Sequence, residues 1–386
     1  MLEYVVLALT VISFVSLLGL CFFRGGFWRA DQKLPQQITD CDRCPMVTAV
    51  IPARNEAATI QSAVTSLVRQ NYRGPFNIIV VDDCSVDDTA RLAREAATER
   101  NIVTVIPGQP LPQGWTGKLW ALDQGLRHGS ERWPETEYWL LTDADIEHDP
   151  SVLKRLVAKA EFGELDLVSL MVRLYCGSFW ERLLVPAFVF FFQKLYPFPL
   201  VNQPERSEAA AAGGCMLVRR SALAAIGGVA AIRDQLIDDC ALAARISQHG
   251  PVWLGLASRT QSLRAYEELA EIWAMVTRTA FTQLNHSRAL LVATVISMSL
   301  IYCVPPLAVA YGIAVGDVWS AGFGVASWSL MTVMYWPTLK IYDLPRWRGF
   351  FLPVAAFLFV LMTVDSAWSH WKGKGGLWKG RSYGGV

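Results

Sequence analysis

The sequence predicts an α/β domain with a doubly wound, mostly parallel sheet, accompanied by one N-terminal and about three C-terminal transmembrane helices. Three observations predict it. Charge-free apolar runs lie near both ends of the 386-residue chain. Strand-like and helix-like patterns alternate between them. Strand-like runs end in polar residues, acids at two of them, where an open α/β sheet places its ligands.

The first apolar run, Val5 to Phe23, carries no charge, and neither do Ala289 to Gly316 and Val318 to Leu339. Each meets the roughly 20 residues that a bilayer core needs in a helix. Gly349 to Val364 is shorter, closed by Arg348 and Asp365, and spans only by borrowing Ser366, Ala367 and Trp368. Hydrophobic residues make up 53% of the chain, too many for an ordinary soluble protein. Residues 1–24 read as an anchor rather than a signal peptide, because a basic leader and a clear small-residue cleavage site are both missing. Arg24, Arg29 and Lys33 follow the first span, which places the next domain in the cytoplasm.

Residues 25–45 form a polar linker with Pro35 and Pro45. Cys41 and Cys44 make a C-x-x-C pair without a second pair of ligands, so no zinc site is expected. The remaining cysteines are scattered, as in a reducing compartment. A net charge of +1 points to no nucleic-acid partner.

Residues 46–285 hold the α/β domain. "MVTAVIPA" is a strand and "TIQSAVTSLVRQ" a helix with Ile60, Val64, Leu67 and Val68 on one face. "NIIVVDD", "NIVTVIPG" and "YWLLTDAD" are further strands, and their near-continuous apolar runs fit burial on both faces. "DTARLAREAATER", with Asp87 or Asp88 as its cap, and "KLWALDQGLRHG" are the intervening helices. Residues 179–201 are aromatic-rich and interrupted by Pro186, Lys194, Pro197 and Pro199. They read as a membrane-interface helix or as a core helix of the domain. Residues 286–371 are the C-terminal transmembrane region, and 372–386 a basic tail.

The chemistry is expected at the strand ends. Asp143 and Asp145, one residue apart on an extended chain, would point the same way. Two hard oxygen ligands with an open shell suit Mg²⁺ or Mn²⁺ shared with substrate phosphates. Asp82 and Asp83 close a neighbouring strand, where a carboxylate accepts hydrogen bonds from a nucleoside. Lys118 opens a helix, a place the helix dipole makes unfavourable for a cation, so it is expected to meet a phosphate. Asp238 and Asp239 open another helix, where acids cap well, and one of them is free to act as a general base. Upstream, the pair ending in Gly214 allows close backbone approach to a ligand.

In this order, "VIPARNEAATI", "VVDDCSVDDT", "LTDAD", "GGCMLVRRSAL" and "IDDCALA" resemble the family 2 glycosyltransferases with the GT-A fold. The resemblance covers residues 46 to about 285. "GWTGKLWAL", "RTAFTQL" and "WKGRSY" resemble most the hopene-associated glycosyltransferases of bacterial hopanoid pathways, and more distantly the ceramide glucosyltransferases. The resemblance implies that Pro52, Arg54, Glu56, Asp82, Asp83 and Gly214 bind the nucleotide sugar, with Glu56 and the two aspartates on the uridine. It implies that Lys118 touches the diphosphate and that Asp143 and Asp145 hold the metal. It makes Asp239 the base of an inverting displacement, beside Asp238. A bacterial inner-membrane enzyme acting on a lipid acceptor follows from it.

One departure matters. Many membrane relatives carry Gln-x-x-Arg-Trp before their C-terminal spans. Here Arg278 supplies the arginine, but Met275 and Thr279 stand in place of glutamine and tryptophan. That motif goes with polymer synthases, so a single transfer to a lipid is favoured over a processive synthase. Arg278 remains open between a phosphate contact and an anchor at the headgroups. Three spans after the domain would send Lys372, Lys374, Lys379 and Arg381 outward, against the positive-inside rule.

Overall fold

The computed structural model describes residues 1–35, 43–96, 101–373, 377–378 and 381–382. Cys41, Lys374 and Lys379 lie outside them. The chain divides into two compact units. One holds residues 31–175 and 200–264, and the other holds residues 1–30, 176–199 and 265–377. Residues 176–199 and 265–285, read from sequence as part of the α/β domain, thus group with the helical unit.

The sheet unit is built on strands β1 (Val47–Ala53), β2 (Phe76–Asp82), β3 (Val103–Pro107), β4 (Tyr138–Thr142), β5 (Ile146–Glu147), β6 (Leu167–Arg173), β7 (Cys215–Arg219) and β8 (Val252–Ser262). They form one sheet in the order β3-β2-β1-β4-β7-β6-β8-β5. Numbered along the chain, the helices up to residue 246 are α1 (Leu2–Phe23), α2 (Ile60–Val68), α3 (Thr89–Ala96), α4 (Gly117–Arg132), α5 (Val152–Phe162), α6 (Phe179–Leu195), α7 (Phe198–Val201), α8 (Arg220–Ala225) and α9 (Asp238–Ile246), of which α2 to α5, α8 and α9 belong to the sheet unit. Every residue of β1 and of β4 is buried. Strands covered on both faces must be apolar throughout, which is why those runs were legible.

The first four strands are parallel, as expected. The sheet as a whole is mixed, because β7 runs antiparallel to both β4 and β6. This reversal positions the site. Thr142 at the end of β4 lies opposite Cys215 at the start of β7, so the glycines that lead into β7 arrive beside Asp143. At the far edge β5 pairs antiparallel with β8, Ile146 opposite Ser262. The segment after β8 is thereby brought to the turn at Asp145.

The acidic turn differs from the extended chain that the sequence suggests. Residues 144–145 form a turn, and Ile146 N–H approaches Asp143 O at 3.4 Å. The two carboxylates therefore owe their proximity to a turn and not to strand alternation.

The helical unit contains α1 and α6 with α10 (Leu269–Thr277), α11 (Arg288–Met298), α12 (Val304–Val315), α13 (Val318–Ile341) and α14 (Leu352–Trp371). Its core gathers Leu17, Phe190, Tyr302, Tyr335 and Met362. A π-turn at Ser299–Cys303 joins α11 to α12 just ahead of Pro305 and Pro306. Prolines lack the N–H that would close the preceding turn, which explains the local widening. Glu181 is fully buried, yet its carboxylate accepts the N–H groups of Gly177, Ser178 and Tyr266 at 2.8, 2.7 and 2.6 Å.

Four segments are long and apolar enough to cross a membrane: Leu2–Phe23, Phe179–Val201, Arg288–Val315 and Arg346–Trp371. Helix α13 has 24 residues, length enough to span, but its Gly, Ser, Thr and Trp residues lower its hydropathy. The 3-10 turn Arg346–Phe351 extends α14 and makes up the length that the apolar run from Gly349 lacks. Leu9, Ile12 and Val15 of α1 and Val354, Phe357 and Leu361 of α14 are exposed, an apolar exterior suited to lipid.

Candidate active site

The chain turns polar where β1, β2 and β4 end, at Arg54, at Asp82 and Asp83, and at Thr142 and Asp143. Asp83 follows β2 and is fully buried; its N–H donates to Ala53 O at 2.8 Å. Arg54 Nη1 donates to Asp83 O at 2.6 Å and lies 4.0 Å from the Asp83 carboxylate. One carboxylate oxygen of Asp82 is buried without a hydrogen-bond partner. Pro52 is an interior β1 residue opposite Val81.

Lys118 occupies the first turn of α4, whose N-cap Thr116 accepts the N–H of Leu119. Its ammonium stands 3.0 Å from Asp143 Oδ1 and 3.1 Å from Asp238 Oδ2. A single lysine therefore joins the acidic turn after β4 to the first turn of α9. Burial opposes its charge, but Asp143, Asp238 and Asp239 together outweigh burial and hold it above the ordinary lysine range.

Asp239 is fixed by two backbone donors, Gly213 N–H to Oδ2 and Cys240 N–H to Oδ1, both at 2.8 Å. Burial first, and Asp238 second, raise its pKa, against the pull of Lys118. In the glycine pair, Gly213 faces the acids. A Cβ there would stand 3.2 Å from Lys118 Nζ and 3.4 Å from Asp239 Oδ2. Gly214 packs against Val172 and Ile146, and its carbonyl accepts the Thr142 hydroxyl at 2.8 Å. Thr142 in turn meets Nε2 of His148 at 2.9 Å. His148 is buried, and burial pushes its pKa down to about 4.

Asp145 is raised by burial first and by Asp143 second. Its partner is a residue that the sequence reading missed, Arg264. Nε of Arg264 lies 3.3 Å from Asp145 Oδ2, and Nη2 lies 2.8 and 3.1 Å from the two Glu56 oxygens. Glu56, expected on the nucleoside, is thus held by an arginine from after β8. The signal was available in "VWLGLASRTQSLRA", an apolar strand whose exit carries Ser262 and Arg264. Arg278 belongs to the helical unit, where it is the exposed C-cap of α10.

In this connected set, five carboxylates (Glu56, Asp143, Asp145, Asp238, Asp239) meet two cations, Lys118 and Arg264.

The comparisons with known proteins agree with this architecture. Residues 48–227 match the model of the family described as Glycosyl transferase family 2. A 4,4'-diaponeurosporenoate glycosyltransferase of Staphylococcus aureus is 36% identical over 101 residues, 26% of this chain and 24% of the relative. The match therefore spans about a quarter of the length of that curated relative. Among solved structures, the mannosyltransferase PcManGT of Pyrobaculum calidifontis, in complex with GDP-Man and Mn²⁺, superposes with a TM-score of 0.58 at 20% identity. That superposition covers 94% of this chain and 99% of the mannosyltransferase. The sheet unit has the GT-A fold.

Proposed function

We propose that this chain, whose residues 48–227 carry a family 2 glycosyltransferase domain, moves a sugar from a nucleotide-sugar donor to a membrane lipid. On the motif resemblance the donor is a UDP-sugar, and the reaction is an inverting single displacement. The observation that carries the reading is Asp239, half-buried, fixed by two backbone N–H groups and adjoining the Lys118 bridge.

The chemistry follows from that arrangement. Asp239 takes the proton from the acceptor hydroxyl as its oxygen attacks the anomeric carbon. The bond from that carbon to the diphosphate breaks on the opposite face, and the electron pair leaves with the diphosphate. Lys118 faces the developing negative charge. Two fixed N–H donors hold the Asp239 carboxylate still, so little reorganisation is needed when the hydroxyl arrives. Asp82, Asp83 and Arg54 at the β1 and β2 ends form the nucleoside side of the site.

The acidic set fits a divalent cation, because hard oxygen donors in charge excess are what Mg²⁺ or Mn²⁺ requires. Asp143 and Asp145 are the residues that would hold it. A dication there would neutralise the leaving diphosphate. The S. aureus relative is named for a lipid-like carotenoid acid, which supports an apolar lipid as acceptor class. A hopanoid is the specific acceptor we propose, on the motif resemblance. The basic residues after α1 support a sheet unit facing the cytoplasm of a bacterial inner membrane.

The test is nucleoside diphosphate release by the full chain in lipid nanodiscs containing bacterial lipid extract. UDP- and GDP-sugars are offered with Mn²⁺ or Mg²⁺. One sugar added per lipid, lost in Asp239→Asn, is the expected result. Long glycan products would replace this reading with a processive synthase, and no release from any donor would overturn it.

A further inference from the structure

Arg264 is not needed to explain the proposed displacement, yet it is tied into the site more firmly than most of its members. Leu263 N–H donates to Asp145 O at 2.7 Å, which fastens the backbone beside Arg264 to the acidic turn. Ser262 Oγ reaches Asp145 Oδ2 at 3.5 Å and accepts the Arg264 N–H at 3.3 Å. From that anchorage the guanidinium bridges two carboxylates belonging to different strand ends, 3.3 Å from Asp145 and 2.8 Å from Glu56. Arginine forks on carboxylates are strong contacts, and a guanidinium keeps its proton under any working condition. The side chain is a permanent positive charge set against oxygens that a dication would also seek.

We propose that Arg264 is the resident counter-ion of the donor site: it holds Asp145 and Glu56 in the donor-free protein and swings to the donor's diphosphate when a dication takes Asp145. The inference rests on the metal-assisted reading above. It explains why a carboxylate expected on the nucleoside and one expected on the metal share a single arginine. It also has a thermodynamic consequence. Metal alone must displace Arg264 from Asp145, with no anion supplied in that carboxylate's place while Glu56 remains. With a nucleoside diphosphate present, the displaced guanidinium gains one. Metal and nucleotide therefore bind cooperatively, and the coupling runs through Arg264, a positioning residue.

The test is Mn²⁺ binding rather than turnover. Mn²⁺ is titrated into the full chain in nanodiscs and followed by loss of the free-ion paramagnetic resonance signal. UDP is absent or present, with GDP in parallel, for wild type, Arg264→Met and Arg264→Lys. Thermal unfolding confirms that each variant is folded. Arg264→Met is expected to bind Mn²⁺ alone about tenfold more tightly than wild type, because the competitor is gone. Nucleotide is expected to tighten Mn²⁺ about tenfold in wild type and hardly at all in Arg264→Met. Lysine is a point charge that cannot bridge two carboxylates, so Arg264→Lys should fall between, and it decides the matter if Arg264→Met does not fold. Mn²⁺ affinity and nucleotide coupling unchanged by substitution would overturn the role of Arg264 and leave the transferase reading standing. Absence of Mn²⁺ binding in wild type and variants, with either nucleotide, would overturn this inference together with the metal assignment.

Discussion

Lys118 Nζ stands 3.1 Å from Asp238 Oδ2, so the first turn of α4 is tied directly to the first turn of α9. Two helix N-termini, each carrying a partial positive charge, converge with an ammonium on a cluster of acids. Lys118→Met would leave these half-buried acids facing one another without their cation. The expected outcome is a lower unfolding temperature and a fall in kcat/KM of roughly a hundredfold or more. Melting in detergent and initial-rate kinetics check both.

Asp239 makes a pH-dependent prediction. Its base function requires the ionised form, and burial with Asp238 raises its pKa above that of an ordinary aspartate. Activity should therefore be present at neutral pH and fall as pH drops, with the acid limb of kcat/KM lying above about pH 4, the usual aspartate value. Asp239→Asn should lose about 10²–10⁴-fold in rate and lose that limb. An amide oxygen can still accept the Gly213 N–H, so the fold should persist, as circular dichroism would report. Retention of the limb in the variant would reassign the base.

His148 predicts the acid sensitivity of the sheet unit. Its folded pKa of about 4 lies below the 6.5 of an exposed histidine. Between those values the unfolded chain binds a proton that the folded chain refuses. The contribution to stability is full above pH 6.5 and is lost as pH falls toward 4, by roughly 3 kcal/mol. His148→Gln, which has no proton to take up, should flatten the dependence of melting temperature on pH across this window. An unchanged slope would place the acid sensitivity elsewhere.

Glu181 tests the helical unit by itself. Its carboxylate serves three backbone N–H groups, two at the start of α6 and one at Tyr266. Glu181→Ala strips all three and should destabilise by about 3–5 kcal/mol, since each orphaned buried donor costs roughly 1–3 kcal/mol. Glu181→Gln keeps one acceptor oxygen and should cost less. Thermal unfolding of the two variants side by side would show that order; equal losses would mean that the negative charge matters more than the acceptor count.

Much of this protein was legible in its sequence. Strands β1, β2 and β4 lie in the interior of the sheet, so their apolar runs are unbroken, and a change to polar residues, acids at β2 and β4 and Arg54, Asn55 and Glu56 after β1, marks where each strand ends. The periodicity of α2 and α4 and the acids that open α9 are equally local signals. Three of the charge-free runs coincide with membrane-capable segments for the same reason, since length and apolarity are local; the run 318–339 is not among those segments, and Phe179–Val201, which carries Glu181, Arg182 and Lys194, is.

The tertiary structure decided the rest. The antiparallel course of β7 depends on pairing Thr142 with Cys215, and the meeting of β5 with β8 depends on pairing Ile146 with Ser262. Neither pairing leaves a periodic trace, because the partners are far apart in the chain. Arg264 is the clearest case. The apolar run before it marks a strand exit, but only the β8 register carries it to Asp145 and Glu56. The turn at residues 144–145, rather than strand alternation, sets the two aspartates together. Sequence determined which residues could do chemistry, because charge and hydropathy are local. The fold determined which cation each acid faces, because that depends on contacts between strand ends that the chain brings together only when it closes the sheet.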